Sequence, residues 1–228
     1  MIGMLILHKT EQDCFLLSKG HAATALYSCL HHLGEITDEQ LRTFYKDGTD
    51  LPAHPEPGKF KSVPFATGSL GHGFSLGAGI AKAKKLRADN SFVHVLLSDG
   101  ETNEGATWEA AHFAVSHKLD NLIVAVDKNG LQGFGQTAEV LGDTSSEAKW
   151  KSLGFETIVI NGHDPIEIGG AILTCRKRNN GVPKVILANT VKGKGVSFME
   201  SKMEWHYLPM TSEQNNLAIQ EIKRRYRA

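Results

Sequence analysis

Four short runs constrain this chain more than any other feature: "FVHVLL" (92–97), "NLIVAV" (121–126), "FETIVI" (155–160) and "PKVILANT" (183–190). Each is nearly continuous in apolar residues rather than alternating, as strands buried on both faces are. Helical patterns accompany them at 22–33, 38–46, 71–88, 104–117, 145–152 and 165–179. Strands alternating with helices predict an α/β fold, a mostly parallel sheet flanked by helices. The length of 228 residues suits one large domain or two small ones.

Several helix starts are legible. Thr37-Asp38-Glu39-Gln40 and Thr211-Ser212-Glu213-Gln214 read as capping boxes. Asp164-Pro165-Ile166-Glu167 sets a cap, an N1 proline and an N3 acid in order, so "NGHD" (161–164) reads as a turn and helix cap rather than a metal site. The tail, "EQNNLAIQEIKRRYRA", is an amphipathic helix whose basic end suits a helix C-terminus. Between 47 and 72 the pattern breaks into loop, with Pro52, Pro55, Pro57 and Pro64, and a long irregular segment of that kind is more often functional than idle.

Charge and cysteine usage remove some functions. Lysine plus arginine and aspartate plus glutamate both number 25, and a neutral chain lacks the basic surface that phosphate-backbone binding needs. Cys14, Cys29 and Cys175 are odd in number and form no CxxC, which argues against a disulfide framework or structural zinc and for a reducing cytoplasm. The opening "MIGMLIL" is too short to span a bilayer and precedes no cleavage site. A soluble cytoplasmic protein is expected, binding neither nucleic acid nor membrane.

Two strand ends raise a sharper question. The first run stops on Ser98-Asp99-Gly100 and the next on Asp127-Lys128-Asn129-Gly130, with one helix-sized crossover between them. Ligands of parallel sheets bind beyond the carboxyl ends of the strands. Asp99, Asn129 and a nearby carbonyl would make half a cage for Mg²⁺, which takes six oxygens at about 2.1 Å and draws some of them from phosphate. Gly100 would let a phosphate approach the backbone, and the helix starting near Glu104 would aim its amides the same way. Asp-Gly and Asn-Gly are also ordinary turn formers, so a turn explains the same residues.

Other signatures fail letter by letter. "GHGFSL" (71–76) has Leu76 where the dinucleotide fingerprint needs its third glycine, and "VKGKGVS" (191–197) lacks the Ser or Thr of a P-loop. There is no His-Glu-x-x-His pair. His21, His54, His72 and His206 sit in loops beside glycine or proline, where ligands gather; His31, His32, His112 and His117 fall within helical patterns.

Taken together, "LSKGHAATALYSCL", "AHPEPG", "TGSLGHGFSLGAGIAKAKKL", "SDGETNEGATWEAAHFAVSHKLDNLIVAVDKNGLQ" and "NTVKGKGVSFME…EWH" resemble the N-terminal half of transketolases, in order, over roughly nine-tenths of the chain. The likeness is closest to the split kind, where this half is a separate chain. It implies a thiamine diphosphate-binding fold formed by residues 1–228 as one domain. The strand-end pair becomes the thiamine diphosphate signature, with Asp99 and Asn129 binding Mg²⁺ through side chains and Leu131 through its carbonyl. Gly100 would contact the diphosphate, with His21 and His206 beside it. Gly68, Ser69 and Leu70 would line the cofactor's rings, His54 would reach a ketose donor's hydroxyls, and His206 could touch substrate too. Glu104 matches an acid at the contact between active sites. The cofactor supplies the carbanion chemistry, leaving the protein to anchor, orient and move protons, for which histidines titrating near neutrality suit.

Three departures from the family pattern stand out. Its Gly-Asp-Gly reads Ser98-Asp99-Gly100, a usual glutamine is His72, and the long N-terminal segment carrying a "GHPG"-type histidine has no counterpart in "MIGMLILHKTEQDCF". The family's activating glutamate lies on a pyrimidine-binding domain beyond Ala228. The resemblance therefore implies a C-terminal partner chain (the pyrimidine-binding transketolase subunit), an α2β2 assembly, and inertness of this chain alone. Transfer of a two-carbon ketol unit between sugars or sugar phosphates is the expected reaction. The alternatives are another thiamine-dependent half-enzyme, of the deoxyxylulose-phosphate synthase or 2-oxo acid decarboxylase type, and a non-catalytic assembly component.

Overall fold

The computed structural model describes residues 1–177 and 179–226. Its centre is a five-stranded, wholly parallel sheet in the order β1 (Cys14–Leu17), β2 (Val93–Ser98), β3 (Leu122–Lys128), β7 (Lys184–Asn189), β6 (Glu156–Asn161). A two-stranded hairpin, β4 (Leu131–Gln132) with β5 (Gly135–Gln136), follows β3. The four apolar runs become β2, β3, β6 and β7, each shifted by about one residue. All six residues of β2 and the first five of β3 and β7 are buried, because helices cover both faces there. β6 is an edge strand and more open, with Val159 45% exposed.

Helices α1 (Ile2–Leu7), α2 (Ala23–His32) and α8 (Pro165–Lys177) pack one face, joining Leu5, Leu26 and Ile172 to Ile123 and Ile186. Helices α4 (His72–Leu86), α5 (Gly105–Ser116) and α7 (Glu147–Leu153) pack the other, joining Phe74, Ala111 and Trp150 to Val95, Val124 and Leu187. The remaining helices are α3 (Asp38–Leu41), α6 (Thr137–Leu141) and α9 (Ser212–Arg225). Both capping boxes form, at Thr37 and Thr211. Asp164 Oδ1 caps α8 by accepting the amides of Ile166 at 2.8 Å and Glu167 at 3.4 Å.

The structure differs from the sequence expectation in three places. The helix expected over 38–46 ends at Leu41, and Tyr45 then takes a left-handed backbone (φ 59°) that a helix cannot contain. β1 is absent from the runs read in sequence; at four residues it is short, yet it forms the sheet edge opposite β6. Ile2–Leu7, noted only as too short to cross a bilayer, is a helix that buries Ile2, Leu5 and Ile6. No helix among the described residues is long and apolar enough to cross a membrane.

Candidate active site

All five parallel strands point their carboxyl ends at one crevice of about 1180 Å³. The residue stretches that follow the strands supply its walls. Lys19 and His21 come after β1, Gly100, Asn103 and Glu104 after β2, and Asn129 after β3; Gly162 and His163 come after β6, and Thr190 and Lys192 after β7. Parallel pairing aligns Ser98 with Asp127 and Lys128 with Asn189, which brings residues far apart in sequence to one rim.

Two carboxylates lie at these strand ends, in opposite electrostatic situations. Asp127 accepts from Lys19 Nζ and Thr190 Oγ1 and from Asn129 Nδ2 at 3.4 Å. Burial alone would raise its pKa, but the Lys19 ammonium prevails and holds it below the usual carboxylate range. Asp99, 2% exposed, accepts only neutral donors: Gly100 N at 2.8 Å, Gly130 N at 2.7 Å and Thr137 Oγ1 at 3.2 Å. Burial pushes its carboxyl up, with Asp127 repelling it further. Among the described residues no cationic side chain pairs with it. The Gly130 bond also pins the turn after β3 to the end of β2.

Lys19 and Lys192 line the same crevice. Burial lowers the Lys192 ammonium, and the Lys19 charge lowers it further. His21 and His206 face each other with ring centroids 6.1 Å apart. Desolvation by the crevice walls, then Lys19, His206, Lys192 and His54, push His21 down to about 4. At neutral pH it is an uncharged hydrogen-bonding group. His206 is lowered too, by burial and then Lys192, and its Nδ1 is buried without a partner among the described residues.

Of the residues singled out in sequence, His21, His54, Gly68, Leu70, Gly100, Glu104, Asn129, Leu131 and His206 all line this crevice. Gly68 adopts φ 150°, and a Cβ there would stand 2.6 Å from His54 Cδ2, so the histidine rests on bare backbone. Asp99 is buried behind the wall, one bond from Asn129's neighbour Gly130. Ser69 is exposed and is not on the wall; its carbonyl accepts the amide of His72 at 3.3 Å. His72 is exposed in the first turn of α4, away from the crevice.

Sequence reasoning passed over Lys19, Asp127, Lys192 and Glu101. Glu101 is buried and accepts from Ser18 Oγ and from Gly71 N at 2.7 Å, tying the ends of β1 and β2 to the start of α4. His163, read as part of a turn, does more: its Nε2 accepts Val191 N at 2.7 Å, holding the segment that carries Lys192. Lys19 and Asp127 are 108 residues apart, so only the pairing of their strands could have shown them together.

The donor set fits a hard cation shared with a phosphate. Asn129 contributes an amide oxygen, which accepts Leu131 N at 3.1 Å, and its neighbour Gly130 bonds the buried Asp99 carboxylate. No group of three or more His, Cys, Asp or Glu among the described residues could hold a metal alone. Lys192, on the same crevice, suits the anionic end of that ligand.

Fold and crevice together define a parallel α/β domain of the kind that binds an anionic, phosphate-bearing cofactor at its strand ends. The family model described as transketolase, thiamine diphosphate binding domain, matches residues 7–226. The chain belongs to the transketolase family, and it corresponds to that family's thiamine diphosphate-binding domain. It is 38% identical to one of the named subunits of the apulose-4-phosphate transketolase of Actinobacillus succinogenes, over 93% of this chain and 76% of that one. It is 39% identical to the 6-deoxy-6-sulfo-D-fructose transketolase subunit SqwG of a Clostridium species, over 94% of this chain and 78% of that one. Among solved structures, the transketolase of Campylobacter jejuni superposes with a TM-score of 0.85 at 30% identity, covering 96% of this chain and 37% of that one.

Proposed function

We infer that this chain, as one domain, is the cofactor-binding subunit of a two-chain transketolase. With a C-terminal partner that supplies the pyrimidine-side domain, it transfers a two-carbon ketol unit from a ketose donor to an aldose acceptor. The observation that carries this reading is Asp99: a buried carboxylate that no cationic side chain among the described residues pairs with, set at a strand end beside a crevice that Lys192 also lines. Asp99, Asn129 and the Leu131 carbonyl would hold Mg²⁺, and the cofactor's diphosphate would complete its shell.

When bound, thiamine diphosphate supplies the ring that accepts electrons as the C–C bond beside a ketose carbonyl breaks. This chain's own residues bind and orient. Gly100 sets bare backbone on the crevice wall beside the phosphate, Lys192 and neutral His21 meet its charge and oxygens, and Gly68 and Leu70, joined through Ser69, form the edge for the rings. His54 and His206, both on the crevice wall, are the groups placed to hold substrate hydroxyls and to take or return a proton. Glu104 starts α5 on the same wall, where a neighbouring chain would meet it.

An α2β2 assembly in the cytoplasm fits this reading, and sugars or sugar phosphates are the substrate class. The named activities of the two related subunits, on a sugar phosphate and a sulfosugar, support a ketose-like donor. The test mixes the chain with its cognate second chain, thiamine diphosphate and Mg²⁺, and follows ketol transfer from a ketose donor to an aldose. Turnover is expected only with both chains present. Turnover by this chain alone would overturn the half-enzyme claim.

A further inference from the structure

Gln132, the second residue of β4, lies flat against Gly100. A Cβ added to Gly100 would stand 2.8 Å from Gln132 Oε1 and 3.0 Å from its Cβ. Both residues line the crevice. The orientation of the Gln132 carboxamide follows from its neighbours. Thr144 Oγ1 donates to Asn103 Oδ1 at 2.8 Å and stands 2.6 Å from Thr102 Oγ1. With its oxygen engaged, Asn103 turns its Nδ2 to Gln132 Oε1 at 2.9 Å. Gln132 Nε2 is what remains: a buried amide nitrogen with no partner among the described residues.

A buried N–H₂ without an acceptor carries its full desolvation penalty. It can only donate. The carboxamide that carries it packs through Oε1 and Cβ on Gly100, the residue that the reading above sets against the diphosphate, and Lys19 and Lys192 line the same crevice. A phosphate oxygen is acceptor-only and anionic, the complement of this environment.

We propose that Gln132 is a cofactor-anchoring residue that donates its Nε2–H to the diphosphate of thiamine diphosphate. The assignment rests on the thiamine diphosphate reading above and adds a donor that reading does not contain. The threonine–asparagine relay from Thr102 fixes the direction of the carboxamide before the cofactor arrives, so little orientational freedom is lost on binding.

The test is calorimetric titration of the two-chain complex in Mg²⁺, with thiamine diphosphate and, separately, with inorganic diphosphate. Gln132→Met keeps the length and removes the donor; Gln132→Glu keeps the shape and presents acceptors only. Thermal melts without ligand establish that each variant is folded. Gln132→Met is expected to weaken both ligands by about tenfold to a hundredfold, the range of a hydrogen bond to a charged group. Gln132→Glu is expected to weaken them more. Wild-type affinity for both ligands in both variants, while Asp99→Ala abolishes uptake, would overturn this assignment and leave the thiamine diphosphate reading standing. A loss confined to thiamine diphosphate, with inorganic diphosphate bound as before, would also overturn it, by moving the contact to the rings. No uptake by the wild-type complex would sink the underlying reading itself.

Discussion

Gly71 donates its amide to Glu101 Oε1 at 2.7 Å, so the turn leading into α4 hangs from a carboxylate just past the end of β2. The same oxygen takes the Ser18 hydroxyl, and Glu101 Oε2 accepts Ser98 N at 3.4 Å. Three segments that frame the crevice share one buried side chain. Removing a buried acceptor leaves its donors unsatisfied, at about 1–3 kcal/mol. Glu101→Ala is therefore expected to lower unfolding free energy by about that amount in urea denaturation. It should also weaken thiamine diphosphate binding, because the 68–70 edge loses its anchor.

A second buried polar group lies at the opposite end of the sheet. His94, on β2, is 0% exposed, with Nδ1 unpartnered among the described residues and Nε2 3.3 Å from Arg176 Nη1. Burial pushes its pKa down to about 4; Asp13 opposes, while Arg176, Lys9 and His8 add to the fall. The unfolded chain, with histidine near 6.5, then takes the proton first as pH drops. The contribution of His94 to stability is whole above the unfolded value and is lost between about 6.5 and 4, on the order of 3 kcal/mol. His94→Leu should hold stability at pH 7.5 and lose less than wild type at pH 5, measured by urea denaturation at both pH values.

Gly68→Ala tests the seat of His54. The position has φ 150°, and its new Cβ would meet the His54 ring at 2.6 Å. Backbone strain of that kind costs about 1–3 kcal/mol. The variant should melt lower than wild type and bind thiamine diphosphate less tightly. An unchanged melting temperature and affinity would show that the 68–70 edge does not depend on this contact.

The layers of this fold were legible because β2, β3 and β7 are buried on both faces and their sequences carry no alternation to confuse the reading. β1 was not: "CFLL" is four residues between polar stretches, and what makes it a strand is its pairing with Val93–Leu96. The site divided the same way. Asp99 and Asn129 could be found because each ends its own strand. Lys19, Asp127 and Glu101 could not, since their partners sit on other strands or helices and only the register of the sheet joins them. "NGHD" illustrates both halves. Asp164 caps α8 as its spacing predicts, while His163 is occupied 28 residues away at Val191.

A cation at Asp99 is expected to balance the buried carboxylate and to carry the cofactor's diphosphate with it. The direct measurement is thiamine diphosphate uptake by the complex of this chain with its cognate partner, titrated with and without Mg²⁺, in wild type and Asp99→Ala. Wild type should take up cofactor only when Mg²⁺ is present. Asp99→Ala should weaken uptake by more than roughly a hundredfold, beyond what loss of a supporting contact around a metal gives. Cofactor binding that ignores Mg²⁺, or that survives undiminished in Asp99→Ala, would contradict a metal-bridged diphosphate at Asp99.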